Sequence, residues 1–186
     1  LLDTRTGRFT QFRHNPDDPN SLSHDMVRSI IKDRSGTFWI GTEKGLNAFD
    51  PQTGRFTRFF NIPDDPESLG EDTVNIIYED SAGVLWVGTN GGGLNRFDRE
   101  TRKFTRFVYD SANPHSLSEN DIRSIYEDRS GNIWVGTRGG GISKFNRKPE
   151  KFGFYTHQPD DPESLSGSNM LAVLEDSSGN LWIGIK

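Results

Sequence analysis

The sequence predicts an all-β fold, a β-propeller built of four-stranded antiparallel blades, and three observations lead there. Trp39, Trp86, Trp134 and Trp182 stand 47, 48 and 48 residues apart, a period at which self-similarity marks a repeat architecture. The text around them repeats as well: DRSGTFWIGTEKGLNAF at Trp39, DSAGVLWVGTNGGGLNRF at Trp86, DRSGNIWVGTRGGGISKF at Trp134, and a shorter DSSGNLWIGIK at Trp182. Finally, no segment longer than a few residues shows helical periodicity, while short runs rich in Ile, Val, Phe and Tyr recur between turn-forming residues.

Within the third repeat the elements read in order. Residues 121–128, DIRSIYED, alternate apolar and polar side chains as a half-buried strand does, and form strand a. Asp128, Ser130 and Gly131 make the next turn, because Asp and Ser hydrogen-bond nearby backbone and Gly accepts positive φ. IWVGT is strand b, Gly139, Gly140 and Gly141 reverse the chain, ISKFN is strand c, and KFGFYTH at 151–157 is strand d after a short basic turn. Four short strands joined by hairpins make one propeller blade, with a innermost.

The repeated residues have physical tasks in that geometry. Each tryptophan is large enough to fill the gap between neighbouring blades. Gly41, Gly88, Gly136 and Gly184 stand two positions on, hence on the same face of the strand. A missing side chain there lets the next blade approach closely. Phe49, Phe97 and Phe145 on strand c, with Phe9 and Phe12, Phe56 and Phe59, and Phe104 and Phe107 on strand d, supply most of the remaining core.

Taken from the start, residues 1–12 match 48–59 and read as strands c and d of a partial blade. Complete blades follow at 26–60, 73–108 and 121–156, and 170–186 supplies only strands a and b. The two halves could join and close a ring of four blades, at the small end of the range of about four to eight. The competing arrangement is a run of about four repeats cut from a larger ring, and we expect that one, since both ends fall inside a blade and no initiator Met is present. Open sheet edges have to be hidden, so such a chain folded alone would close on itself or self-associate through its open blade edges.

The connections between blades repeat too: NPDDPNSLS at 15–23, IPDDPESLG at 62–70, SANPHSLS at 111–118 and QPDDPESLS at 158–166. Pro stops the strand and Asp and Ser make local turns, while Leu22, Leu69, Leu117 and Leu165 are expected to plug back onto the blade. The acidic pairs match no described Ca²⁺ loop and read as solvated turns.

A net charge of −5 argues against a nucleic-acid partner, which would need a basic stripe. No apolar run approaches a membrane span, so no membrane contact is expected of this segment. With no cysteine there is neither a disulfide nor a thiolate site, and no cofactor or metal is expected. His14, His24, His115 and His157 have no metal-ligand spacing.

The unit D-x-S-G-x-[LIF]-W-[IV]-G-T-x-x-G-[LI]-x-x-F-[DN], followed by F-T-x-F, D-P-x-S-L-S and a strand ending in E-D, resembles the two-component regulator propeller repeat, and the resemblance covers essentially the whole chain. It implies the extracytoplasmic, periplasmic or extracellular sensor region of a bacterial hybrid histidine kinase or related receptor. It further implies a parent ring of seven blades and, in many members, carbohydrate sensing. A non-catalytic ligand-binding propeller is therefore expected.

Positions repeated in every blade read as fold, and positions that differ between equivalent blades are where a ligand could be read. The d-to-a and b-to-c connections emerge on one face and ring the channel mouth. There the varying positions are His24, Glu71, Glu119 and Gly167; Asp25, Asp72, Asn120 and Ser168; and, just inside strand a, Arg28, Asn75, Arg123 and Leu171. In the b–c loops Glu43 and Lys44 correspond to Asn90 and Gly91 and to Arg138 and Gly139. The candidate ligand-binding set is Arg28, Asn75, Arg123, His24, Glu71, Glu119, Asn90 and Arg138, a mixture suited to a small polar ligand such as an oligosaccharide or an anion, with Tyr78 or Tyr126 as added contacts. Ordinary solvated loop ends are the competing explanation, and a protein-binding or self-assembling scaffold is the alternative function. Enzyme chemistry fares worse. Propeller sialidases carry Asp two residues before the turn Gly, whereas Asp33 and Asp128 lie three before Gly36 and Gly131, and Glu79, Glu127 and Glu175 repeat as structural residues do.

Overall fold

The computed structural model describes residues 1–148 and 150–186. All regular structure among them is β. Strands β1 (Leu2–Asp3) and β2 (Arg8–Phe9) form a two-stranded sheet. β3 (Val27–Lys32), β4 (Phe38–Thr42), β5 (Gly45–Asp50) and β6 (Arg55–Phe59) form the first complete antiparallel blade. β7 (Val74–Glu79), β8 (Leu85–Thr89), β9 (Leu94–Phe97) and β10 (Phe104–Phe107) form the second, and β11 (Ile122–Glu127), β12 (Ile133–Thr137), β13 (Ile142–Arg147) and β14 (Glu150–Tyr155) the third. β15 (Met170–Glu175) pairs only with β16 (Leu181–Ile185). The basic turn expected before the third blade's strand d runs through Pro149, which lies outside the described residues.

Strands within a blade follow chain order, and the a strands of successive blades lie against one another, β3 on β7, β7 on β11 and β11 on β15. The blades thus stack radially as an arc. The half-blades β1–β2 and β15–β16 remain separate sheets at its two ends, so the four-bladed closure weighed from the sequence is not formed.

The two seams between complete blades are built the same way. The Trp39 ring packs on Phe97 of the next blade at 5.2 Å and on Phe59 of its own at 5.9 Å; Trp86 does so on Phe145 at 5.4 Å and Phe107 at 6.0 Å. The glycine two residues on then decides how close the sheets come. A Cβ on Gly41 would stand 2.5 Å from Val74 Cγ1, and one on Gly88 would stand 2.5 Å from Ile122 Cγ2. Both contacts fall far inside van der Waals distance and belong to the next blade's first strand. Leu69 and Leu117 return from the connections into the cores of these seams, and Leu22 packs on Phe49 and Phe56 of the first complete blade. The connections are pinned in turn by Arg58 and Arg106 on strand d, whose Nε donates to Ser21 O at 2.7 Å and to Ser68 O at 2.8 Å.

One carboxylate per blade does more than make a turn. In Asp33 the Oδ1 accepts from the Thr37 amide at 2.9 Å and the Oδ2 accepts from Trp39 Nε1 at 2.7 Å. Asp80 with Trp86, Asp128 with Trp134 and Asp176 with Trp182 repeat the indole bond at 2.7, 2.8 and 2.9 Å. The next blade then clasps it. Arg99 donates to Asp33 at 2.6 Å and to Glu79 at 2.9 Å, while Glu79 accepts the Arg34 amide at 2.9 Å. Arg147, Asp80 and Glu127 repeat this at the following seam. Burial alone would raise the Asp33 pKa, but the bonds from Ser35, Arg99, Trp39 and Thr37 outweigh it and hold the carboxyl at about 2.

Two outcomes follow from the seams. Gly88→Ala should cost about 1–3 kcal/mol in chemical denaturation through overpacking, whereas Gly184→Ala should be near neutral, because a Cβ there meets only Ala172 at 3.6 Å. Because the folded pKa of Asp33 lies below its unfolded value near 3.9, its ionised form contributes stability above about pH 4 that is lost as pH falls toward 2. Wild type should therefore exceed Asp33→Asn by on the order of 2–3 kcal/mol at neutral pH, and thermal melts should show that gap closing across this window.

Candidate functional site

The mouth of the channel is built by backbone before any side chain enters. The b–c loop of each blade is tied to the connection entering the next: Gly45 N donates to Asp72 O at 2.6 Å, Gly93 N to Asn120 O at 3.0 Å and Gly141 N to Ser168 O at 3.1 Å. Positive φ is required at Gly93, where a Cβ would also meet Phe107 O at 2.2 Å. The same side-chain position closes each connection: Asp25 accepts the His14 amide at 2.7 Å, Asp72 the Asn61 amide at 2.6 Å and Asn120 the Tyr109 amide at 2.7 Å.

Just inside the mouth each strand a carries a bulge. The pairing register shifts between Val27 and Ser29, Val74 and Ile76, Ile122 and Ser124, and Met170 and Ala172. The residues left over are Arg28, Asn75, Arg123 and Leu171. A bulge frees one residue from the ladder and re-aims its side chain, so a single backbone irregularity presents a different group from each blade.

Three of these groups join one chain of hydrogen bonds across the blades. Arg28 Nη2 donates to Glu43 Oε1 at 2.8 Å, and its Nη1 reaches Asn75 Oδ1 at 3.4 Å. Asn75 Nδ2 donates to Asp121 Oδ1 at 3.1 Å and to Ile122 O at 3.0 Å. Arg123 Nη2 donates to the other Asp121 oxygen at 2.7 Å, and Arg138 Nη1 stands 3.8 Å from that same oxygen. The structure thus brings together Arg28, Asn75, Arg123 and Arg138. Leu171 ends the row with an apolar side chain.

The other predicted residues stand apart from this network. Glu71 and Glu119 each turn an Oε1 back to the next backbone amide, at 2.9 and 2.6 Å, and His24 Nδ1 accepts the Met26 amide at 3.2 Å, so all three shape the loop. Asn90 is exposed and its backbone bridges to Asp121. Tyr78 and Tyr126 do not reach the mouth. Each is three residues beyond its bulge, about 10 Å along an extended strand, beside the a–b turn. Burial first, then the charges of Glu127 and Asp80, push the Tyr78 hydroxyl above its ordinary pKa. Asp121, the hub of the network, was not among the predicted residues. The blade-to-blade comparison holds its signal, because the equivalent positions are Met26, Thr73 and Asn169, and Asp121 is the acid among them.

Chemically the network pairs fixed acceptors with spare donors. A guanidinium carries five N–H donors, and Arg123 spends one here on Asp121 while Arg138 stays 63% exposed. Glu43 and Asp121 offer acceptors beside them.

An arc of such four-stranded antiparallel blades defines part of a β-propeller. The model of the two component regulator propeller matches residues 21–44, 68–91, 116–139 and 164–185, and the chain belongs to that family. Among solved structures the chain is similar to the extracellular domain of BT3049 of B. thetaiotaomicron, described as a hybrid two component system. The TM-score is 0.78 at 30% identity, covering 88% of this chain and 22% of that one. The extracellular domain of BT4673 of the same organism, described as a one component system, matches with a TM-score of 0.78 at 22% identity over 99% of this chain and 23% of its own. Virginiamycin B lyase of Staphylococcus aureus shares the fold at 18% identity and a TM-score of 0.61, over 85% of this chain and 48% of its own. The chain therefore spans under a quarter of the length of the two sensor domains. A search of curated proteins found no match.

Proposed function

We propose that this chain is the ligand-sensing propeller region of a bacterial two-component receptor, placed outside the cytoplasm, and that it binds a carbohydrate or similar small polar ligand at the mouth without transforming it. The observation that carries the reading is the network from Glu43 through Arg28, Asn75 and Asp121 to Arg123 and Arg138, which crosses three blades at bulges and leaves the Arg138 guanidinium exposed. Membership of the regulator propeller family and the likeness to the extracellular sensor domains support the sensing role and the location.

A non-catalytic site is supported by how the carboxylates are used. Glu79, Glu127 and Glu175 lie at the far ends of the a strands, where each accepts a backbone amide of the preceding blade's turn. The buried Asp33 and Asp80 are held by an indole and an arginine. Those acids are committed to the seams.

A panel of neutral and acidic oligosaccharides tested by thermal shift and calorimetry should contain binders that raise the melting temperature. Arg123→Ala and Asp121→Asn should each weaken binding about tenfold or more, the cost of a charge-assisted hydrogen bond, while leaving the melting temperature of the free chain nearly unchanged. Normal affinity in both variants would exclude this mouth as the site.

A further inference from the structure

Building on the mouth as the binding site, we propose that Tyr109 is a sugar-stacking residue at its outer edge and that the ligand is an oligosaccharide longer than one ring. One sugar meets the Asp121 network through its hydroxyls, and the apolar face of a sugar further along lies on the Tyr109 ring.

Tyr109 departs from a task that its equivalents share. At this position of the connection the repeats carry His14, Asn61, Tyr109 and His157. His14 Nδ1 donates to Leu22 O at 2.9 Å, Asn61 Nδ2 to Leu69 O at 2.7 Å and His157 Nδ1 to Leu165 O at 2.5 Å. Each bond closes the connection over its returning leucine. The side-chain donor of Tyr109 stands at the far end of a rigid ring, and it makes no such bond. Among the described residues Leu117 O accepts only the Ser116 hydroxyl at 3.3 Å, a contact that the other three repeats also have, at 3.5 Å.

Giving up that bond leaves the ring in water. Tyr109 is 51% exposed although it lies between two complete blades, after β10 and before β11. An exposed aromatic ring where a polar side chain would complete the connection serves neither packing nor hydrogen bonding within the fold. It belongs with the bulge residues as a position at which equivalent blades differ.

Its place ties it to the mouth. Tyr109 N donates to Asn120 Oδ1 at 2.7 Å, and Asn120 O accepts from Gly91 N at 3.2 Å and Gly93 N at 3.0 Å. The next residue is Asp121, the hub on which Asn75 and Arg123 converge. One hydrogen bond and one Cα step of about 3.8 Å therefore put the Tyr109 and Asp121 backbones on the order of 10 Å apart. A pyranose carries hydroxyls around its edge and C–H groups on its faces. The edge matches the donors of Arg123 and Arg138 and the acceptor of Asp121. The face matches a tyrosine, which supplies a large rigid surface at small conformational-entropy cost. A monosaccharide held at the network leaves Tyr109 uncovered, so the ring acts only on longer ligands.

Calorimetric titration with glucose, mannose, galactose and galacturonate ladders, each from monosaccharide to tetrasaccharide, tests this. Wild-type affinity should rise with length in the ladder that binds. Tyr109→Ala should lower tetrasaccharide affinity about tenfold while leaving monosaccharide affinity unchanged, and Tyr109→Phe, which keeps the ring, should bind as wild type does. Tyr109→Asn supplies the donor that Asn61 uses, so it should bind as the alanine variant does and yet melt about 2–4 °C above wild type. Equal affinity in all these chains would overturn the assignment. So would a loss that falls equally on monosaccharide and tetrasaccharide, or a wild-type chain that binds no member of any ladder. If Arg123→Ala and Asp121→Asn weaken binding while the Tyr109 variants do not, the mouth stands as the site and the role of Tyr109 falls.

Discussion

Every blade of this protein depends on an indole held in two directions. Its N–H is fixed by the aspartate that opens its own hairpin turn, and at the two seams between complete blades its ring meets the phenylalanine of the following blade edge to face. One carboxylate therefore sets the turn, the rotamer and the seam together. Trp182 makes the same hydrogen bond although its ring is exposed. Glycine two residues on completes the device, since the indole and the next blade's first strand compete for the same face of strand b, and only a missing side chain admits both.

The seam has a polar side and an apolar side, and they lie at different depths. The aromatic contacts and the returning leucines carry most of the burial. The Arg–Asp–Glu clasp closes the end where strand a meets strand b, and it keeps the buried aspartates paired, as an ionised group under a sheet must be. At the opposite end the blades are tied by backbone bonds, Gly93 to Asn120 and Gly141 to Ser168, and by the side chains of the Arg28–Asn75–Asp121 network. The repeated bulge makes that end variable, since an identical irregularity delivers Arg, Asn, Arg and Leu to one rim.

Much of this was legible in the residues. The tryptophan period, the glycine beside each indole and the leucine of each connection were readable because they recur, and a residue that recurs at a fixed offset has one physical task to explain. Four of the eight candidate ligand residues, Arg28, Asn75, Arg123 and Arg138, meet in one network, and they were found by asking which equivalent positions differ. Asp121 answers the same question and was passed over, because a lone acid at the start of a strand has no meaning until Arg123, Arg138 and Asn75 converge on it. Tyr78 and Tyr126 were placed at the wrong end of their strand because the bulge, which defines where the rim begins, leaves no trace in composition. The clasp was invisible for a related reason: Arg99 and Asp33 are 66 positions apart and belong to different repeats.

The sequence by itself determined the blade: its four strands, its turns, the face that takes the indole and the leucine that returns to it. All of these follow from short-range periodicity and from the conformational preferences of Gly, Pro and Asp. Only the tertiary structure decided how blades are held together and what the rim presents. Those contacts join residues one repeat apart, and their partners are chosen by the radial stacking of sheets rather than by anything adjacent in the chain.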